Sequence, residues 1–421
     1  MKSTHFIFIA ELLCLCALPG LSYAQSEPSQ TLISGFGTLG GTYNSSSDAG
    51  FIRDISQETK PGKQYTWRPD SRLGIQVSHS FSPQLQVTGQ MVLRDQPTIN
   101  LDTSVSRALV SYRPIADLQI RIGRLADATF LMSDYYEVGY AYPWVRPPIE
   151  SYGVMAPHNY DGADLTYSLR TDYGLWQLKG LFGRLKAEVP MPVGKNYMLE
   201  SNDLRGVALI HQSGAFKARF GYSTFHLENE GTLGPGVQTQ LHAFASVPRN
   251  PFRNEALALE SDLEMRNARI GFTSLGFSYD NGHWMGQAEI SDLSSETKIF
   301  PQGQQAYVSV GYHFGNFLPY LTIGANRAPE ATQATGNWGR FGNRYGQLQA
   351  GALAIVNSQR TSQSTRSIGM RWDFDSHAAL KVQWDQIDVR ENGWGLWSTQ
   401  LNHSAQADRV NIVSATIDFV F

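Results

Sequence analysis

The feature that most constrains this chain is a period-two alternation of apolar and polar residues that recurs along nearly its whole length. In "LGIQVSHSF", Leu73, Ile75, Val77 and Phe81 fall on one face of an extended strand, with Gln76, Ser78 and Ser80 on the other. After Ser82-Pro83 the pattern resumes in "QLQVTGQMVLRD", with Leu85, Val87, Met91 and Leu93 set against Gln86, Thr88, Gln90 and Arg94. Two alternating runs joined by a tight turn predict a β-hairpin. The unit recurs as residues 104–113 with 117–125, 163–170 with 174–183, and 204–212 with 215–225. It recurs again as 268–279 with 283–292, 306–314 with 317–327, and 367–374 with 379–388. Two unpaired runs at the ends, "TLISGFGTLGGTY" and "RVNIVSATIDFVF", bring the expected count to sixteen strands.

The connections alternate as well. Those inside a hairpin are a few residues long, whereas those between hairpins are long, as at 126–161, 227–265 and 328–365. Short turns at one end, long loops at the other and one apolar face per strand predict an all-β fold. It is a transmembrane antiparallel β-barrel of about sixteen strands, with short periplasmic turns and long extracellular loops. The first and last strands then pair and abolish the open edges that lipid does not tolerate. An even strand number places both termini at the periplasmic end.

The start of the chain, "MKSTHFIFIAELLCLCALPGLSYAQ", reads as a cleaved secretory signal peptide over 1–24, leaving 25–421 as a single barrel domain. Lys2 is the basic end, 6–18 the apolar core and Ser22-Tyr23-Ala24 the small-x-small cleavage site; Glu11 is unusual in such a core. Both cysteines, Cys14 and Cys16, lie within this segment, so the mature chain is expected to have no disulfide and no thiolate metal site. No cofactor is implied. A net charge of −3, without a basic cluster among stacking aromatics, argues against nucleic-acid binding. "SGFGTLGG" (Ser34–Gly41) matches the spacing of a dinucleotide-binding loop, but "TYNSSSDAG" follows it instead of a helix. The glycines belong to the first barrel strand, where they reduce crowding in a closing sheet.

With these residues in view, the chain resembles the bacterial outer-membrane porin superfamily, in particular its sixteen-stranded diffusion porins. The resemblance rests on the signal peptide, the short and long connections, the glycine-rich first strand and the last strand "IVSATIDFVF". Its Phe419 and Phe421 resemble the terminal signal read by the barrel-assembly machinery. "LQIRIGRLADATF" contributes too: in porins a strand ending in Gly-Arg, here Gly123-Arg124, leads into a third long loop that folds into the lumen. That loop is 126–161 here. Its centre, "YEVGYAYPWVRPPIESYG", departs from the acidic loop of the best-known general porins. The resemblance implies an outer-membrane location, in contact with lipid and lipopolysaccharide, and a homotrimer. It also implies a water-filled channel for passive diffusion of small hydrophilic solutes and ions in a Gram-negative bacterium.

If the apolar faces meet lipid, Arg72, Arg94, Arg107 and Arg121 point inward on consecutive strands and form a basic stripe. Arg371 and Lys381 also face the lumen, beside Asp373 and Asp385. The third loop offers Asp127, Asp134, Glu137 and Glu150 as an opposing acidic wall, together with Arg146. Facing walls of opposite charge give a transverse field that orients polar solutes, and four arginines point to a mild anion preference. The alternative is that these charges are merely solvated or paired. Tyr135, Tyr136, Tyr140, Tyr142 and Trp144 either guide solutes or pack the loop on the wall.

Three other functions compete. One is a substrate-selective channel for sugars or aromatic and organic anions. Another is an adhesin-type barrel using long loops such as 227–265, where Glu228, Glu230, Glu255, Glu260 and Glu264 bind divalent cations or are solvated. The third is a barrel enzyme, against which stands the lack of a Gly-x-Ser-x-Gly or His-Glu-x-x-His motif. The expectation is a non-enzymatic channel. Gly89, Ser274 and Ser414 are expected on the outer face, as small residues compatible with a subunit contact.

Overall fold

The computed structural model describes residues 29–47, 50–57, 64–154, 158–190, 196–231, 234–390, 395–398 and 409–421. The signal-peptide reading falls on residues outside this set. Sixteen antiparallel strands form the barrel. They are β1 (Gln30–Asn44), β2 (Arg72–Ser80), β3 (Leu85–Arg94), β4 (Val105–Ile115), β5 (Leu118–Ala126) and β6 (Asn159–Thr171). β7 (Gly174–Val189), β8 (Tyr197–Ser213), β9 (Phe216–His226), β10 (Arg269–Asp280) and β11 (Trp284–Ser295) follow. β12 (Gly303–Tyr312), β13 (Phe317–Arg327), β14 (Ser362–Asp375), β15 (Ala378–Val389) and β16 (Arg409–Val420) complete it. Each strand pairs with its sequence neighbours, and β1 closes the sheet on β16 with Gly37 opposite Phe419.

The pleat sorts the side chains as the alternation requires. Leu73, Ile75 and Val77 on β2, Val87, Met91 and Leu93 on β3, and Leu321 and Ile323 on β13 are exposed on the outside. In water such a band would promote aggregation; in a bilayer it is the lipid-facing surface. Closure depends on the glycines of β1. The rings of Phe421 and Phe419 lie over Gly35 and Gly37, where a Cβ would collide with them. Phe421 also exchanges backbone hydrogen bonds with Gly35, at 2.8 and 2.9 Å. The nucleotide-loop spacing is therefore a by-product of strand packing.

Two outer-face expectations need correction. Ser274 and Ser414 point into the lumen, where Ser274 donates to Glu289 at 2.5 Å and Ser414 accepts from Arg146 at 2.5 Å. On both strands the outward set is the neighbouring parity, Leu275 and Phe277 on β10, Val413 and Ile417 on β16. Gly89 lies between the outward Val87 and Met91 on β3, as expected.

The long connections are not bare loops. α1 (Leu101–Ser104) lies between β3 and β4, and α2 (Ile149–Tyr152) lies in the segment after β5. At the same end, α3 (Gly234–Ala245), α4 (Arg253–Asp262) and α5 (Asn343–Asn357) pack into a helical cap. Leu241, Phe244, Leu259, Trp338 and Val356 share its core. Of the five acids expected to be solvated or to bind cations, Glu228 and Glu264 are exposed, and the other three hold these connections together. Glu255 accepts from Thr335 and Gln349, Glu260 contacts His242, and Glu230 accepts the backbone amides of Met265 and Arg266.

Candidate functional site: the lumen and its folded loop

The segment between β5 and β6 turns into the barrel and lies against its inner wall. Two lumen-facing glycines make room. A Cβ on Gly221 of β9 would run into the backbone of Thr129, and one on Gly276 of β10 into Leu131. The expected entry of the third long loop into the lumen is therefore built by the wall as much as by the loop.

The loop leans on one side of the barrel, from β11 round to β1. Trp144 is fully buried there, its Nε1 donating to Ser309 at 3.0 Å and Thr322 at 2.9 Å. Phe130, Tyr136, Tyr142 and Tyr152 pack with Tyr307, Leu318 and Tyr320 of the wall. The loop aromatics thus hold the loop to the wall, and of Tyr135, Tyr136, Tyr140, Tyr142 and Trp144 only Tyr135 is left half-exposed. Glu289 of β11 secures the loop's first turn by accepting from the Leu131 amide at 2.8 Å and the Tyr152 hydroxyl at 2.5 Å.

On this side the charged groups named from the sequence face the lumen yet lie under the loop. Arg371 donates to the carbonyls of Tyr140 (2.7 Å) and Tyr142 (3.1 Å) and pairs with Asp373 at 2.8 Å. Lys381 donates to the carbonyls of Gly139 (2.6 Å) and Trp144 (3.0 Å) and pairs with Asp418 at 3.2 Å. Both are 0% exposed, so the structure does not place them on a free channel surface. They satisfy loop carbonyls that would otherwise be orphaned away from water.

Arg146 is the centre of this anchorage. It grips Asp70 with two donors, at 3.0 and 2.6 Å, and reaches Asp385 at 2.9 Å. Its guanidinium also lies 4.6 Å from the centre of the Phe51 ring. Burial alone would raise the Asp70 carboxyl, but Arg146, with Arg53 and Arg72, outweighs that and holds it below its ordinary value. Glu150 of α2 was expected to face the arginines. It instead points to β14, where Gln363 (2.7 Å) and Thr365 donate to it, and burial pushes its carboxyl up. Asp127 also misses the arginines: it accepts from Thr129 and Ser133 within its own turn.

The opposite side, from β2 to β9, carries the basic stripe. Arg72 donates to Glu137 at 2.7 Å, and Arg94 lies 3.7 Å from Glu137 and 3.8 Å from Asp54. Arg107 donates to the backbone carbonyl of Asp134 at 2.5 Å, and Arg121 grips Asp164 of β6 at 2.9 and 2.5 Å. The expected acidic wall facing these arginines across open water is therefore absent among the described residues. Glu137 and Asp134 cross the gap and touch the basic side directly, because opposite charges in a confined space gain more by contact than by separation. Burial would raise the Glu137 carboxyl, yet Arg94 and Arg72 hold it down at about 2.

The half-exposed groups at this level lie along one strip. They are Asp134, Tyr135 and Glu137 on the loop, with Arg94, Arg107 and Arg121 on the wall. A cavity along it is lined by Gln90, Arg94, Ser106, Arg107, Glu137 and His158. The strand parity also turns two further cations into the lumen. Lys179 sits between the outward Leu178 and Gly180 on β7, and Arg219 between Ala218 and Phe220 on β9, so both face inward. No local signal marks Asp70, Asp54 or Glu289 as loop partners.

No family model matches the sequence, and no curated protein does. Similarity appears at the level of solved structures. An anion-selective porin from Comamonas acidovorans superposes with a TM-score of 0.52 at 11% identity, covering 93% of this chain and 100% of that one. OmpT of Vibrio cholerae, an in-vitro folded outer-membrane protein in a trimer form, gives 0.50 at 11%, with coverage of 94% and 100%. The outer-membrane channel DcaP of Acinetobacter baumannii gives 0.50 at 10%, with coverage of 95% and 100%. At such identities the likeness speaks for the fold. By its closed sheet, its strand count and this likeness, the chain has the fold of these solved barrels, a closed antiparallel β-barrel of sixteen strands.

Proposed function

We propose that this chain is a passive, non-enzymatic channel of the Gram-negative outer membrane. It lets small hydrophilic solutes and ions diffuse through the strip between the folded loop and the β2–β9 wall. The observation that carries the reading is the one-sided seating of the loop. Aromatic packing and buried cations seal it against β11–β1, while the half-exposed charges gather opposite. Arginine outnumbers carboxylate on the wall of that strip, which favours a mild anion preference. The likeness to solved channels supports the reading, as does the exposed apolar band that needs lipid around it. The trimeric form of one similar barrel makes a homotrimer our proposal for the assembly. Contact with lipopolysaccharide, and recognition of Phe419 and Phe421 by the barrel-assembly machinery, belong to the same proposal.

The test is single-channel recording of the refolded mature protein in a planar bilayer under a salt gradient. Stepwise long-lived openings with an anion-selective reversal potential are expected. Full insertion with silence at every voltage overturns the channel reading.

A further inference from the structure

The basic stripe does not stop at Arg121. Counting up from the short turns, Arg121, Lys179 and Arg219 sit at similar heights on β5, β7 and β9, below Arg94 and Arg72. Their surroundings are cation-rich. Lys179 Nζ is 4.0 Å from Asp164, which already binds Arg121, and Lys217 lies 5.7 Å from the Tyr135 ring centre. Between Lys179 and Arg219 the lumen wall of β8 presents Ala208, which pairs with Lys179 on one side and Gly221 on the other. Ala208 and Gly221 are small, and the Thr129 backbone of the loop lies directly over Gly221.

Arg219 is the informative residue. Its side chain is 0% exposed, and its Nη1 holds Asp134 of the loop at 2.9 Å. Its other edge, Nε and Nη2, has no hydrogen-bond partner among the described residues. An unsatisfied buried guanidinium edge is costly, and such an edge presents two parallel N–H groups that match the two oxygens of a carboxylate. Asp134 shows that these cations hold such a group. Burial would raise its carboxyl, but Arg219, Lys179, Lys217 and Arg121 outweigh burial and hold it well below its ordinary value.

We infer that Arg219, with Lys179, forms a binding subsite for carboxylate-bearing organic anions on their way to the periplasm, and that Asp134 is its tethered competitor. The inference rests on the channel reading above and names its solute class. An arriving carboxylate takes the free edge of Arg219, and the Asp134–Tyr135 segment shifts to admit it. The stripe from Arg72 down to Arg121 delivers anions to this point, and loss of the solute lets Asp134 reclaim the cations.

Succinate is the probe, with ethylene glycol as the neutral control. In bilayers holding the full mature protein, succinate is expected to block the chloride current saturably, and the control is not. Arg219→Gln is expected to raise the apparent Kd for succinate about tenfold, the loss of one bidentate charged contact. Asp134→Asn is expected to lower it several-fold. Arg219→Lys keeps the charge that pairs with Asp134 but lacks the fork. It tests the site if Arg219→Gln does not fold, and it is expected to bind more weakly than wild type. A conducting channel that succinate does not block saturably, or blocks equally in wild type and both Arg219 variants, overturns the subsite and leaves the channel reading standing. If the inserted wild-type protein does not conduct, the channel reading fails. Calorimetric titration of succinate into the detergent-solubilised protein then decides the site: heat lost in the Arg219 variants supports it, and no heat in wild type overturns it.

Discussion

Two walls of one barrel, built by the same alternation, differ in how their charges are used. On the β11–β1 side, Arg371 and Lys381 are buried and hold loop carbonyls, with aromatic rings sealing the space around them. On the β2–β9 side, Arg94, Arg107 and Arg121 stay half-exposed: Arg94 meets a loop carboxylate, Arg107 a loop carbonyl, and Arg121 is held by Asp164 of the wall itself. The difference shows that facing the lumen and lining a pathway are separate properties. A lumen cation becomes structural when the loop presents carbonyls and rings to it. It stays in contact with water where the loop presents only an edge.

Removing Arg146 should break this contrast most severely. Arg146→Ala leaves Asp385 buried without its cation and Asp70 with only Arg53, 3.7 Å away, a loss of about 3–5 kcal/mol for a broken buried pair. We expect a lower unfolding temperature, together with larger and noisier single-channel conductance as the loop leaves its wall. Unchanged conductance would mean that Arg146 does not hold the loop. Gly221→Ala attacks the same anchorage from the strand side. A Cβ there meets the Thr129 backbone, which cannot yield as a flexible side chain would. The expected cost is about 1–3 kcal/mol, read as faster proteolysis between 127 and 135 with the barrel intact.

The open strip can be sharpened by pH. The Glu137 carboxyl is held at about 2, below its ordinary 4.5, so its contribution to stability is fully present above pH 4.5 and lost as pH falls towards 2. The Glu137 part of the stability profile should therefore be flat from neutral pH down to about 4.5 and decline below it. Glu137→Gln should remove that part of the decline; an identical acid profile in the variant assigns it to other groups. The smallest effect on stability, and the most specific on transport, is expected from Arg107→Ala combined with Arg121→Ala. Lys179 remains near Asp164 in this double variant, so the barrel should fold while the reversal potential moves towards cation preference. An unchanged potential would remove the stripe as the selectivity element.

The barrel was legible because its signal is local and repeated. All seven hairpins form, and β1 and β16 close the sheet as their unpaired edges demand. Parity also placed the four arginines inward, along with Arg371 and Lys381. Ser274 and Ser414 were misplaced because their small, polar character suggested an outer contact, although parity beside the outward Leu275 and Val413 turns both inward. The aromatic loop was recognisable as a loop, but its seat was not. Glu150 and Asp127 looked like members of an acidic wall only because their partners were hidden.

By itself, then, the sequence determined the strand number, the lipid and lumen faces, the alternation of turns and loops, and the cationic character of the β2–β5 wall. Each follows from the two-residue period of a pleated strand, which any eight-residue window displays. The tertiary structure alone decided which wall the loop covers and which charges remain beside water. Those choices depend on contacts such as Arg146 with Asp385, 239 residues apart, and Glu150 with Thr365, 215 apart. A loop has no period that ties one residue's direction to the next, so its side chains find their partners only when the closed barrel brings distant strands around them.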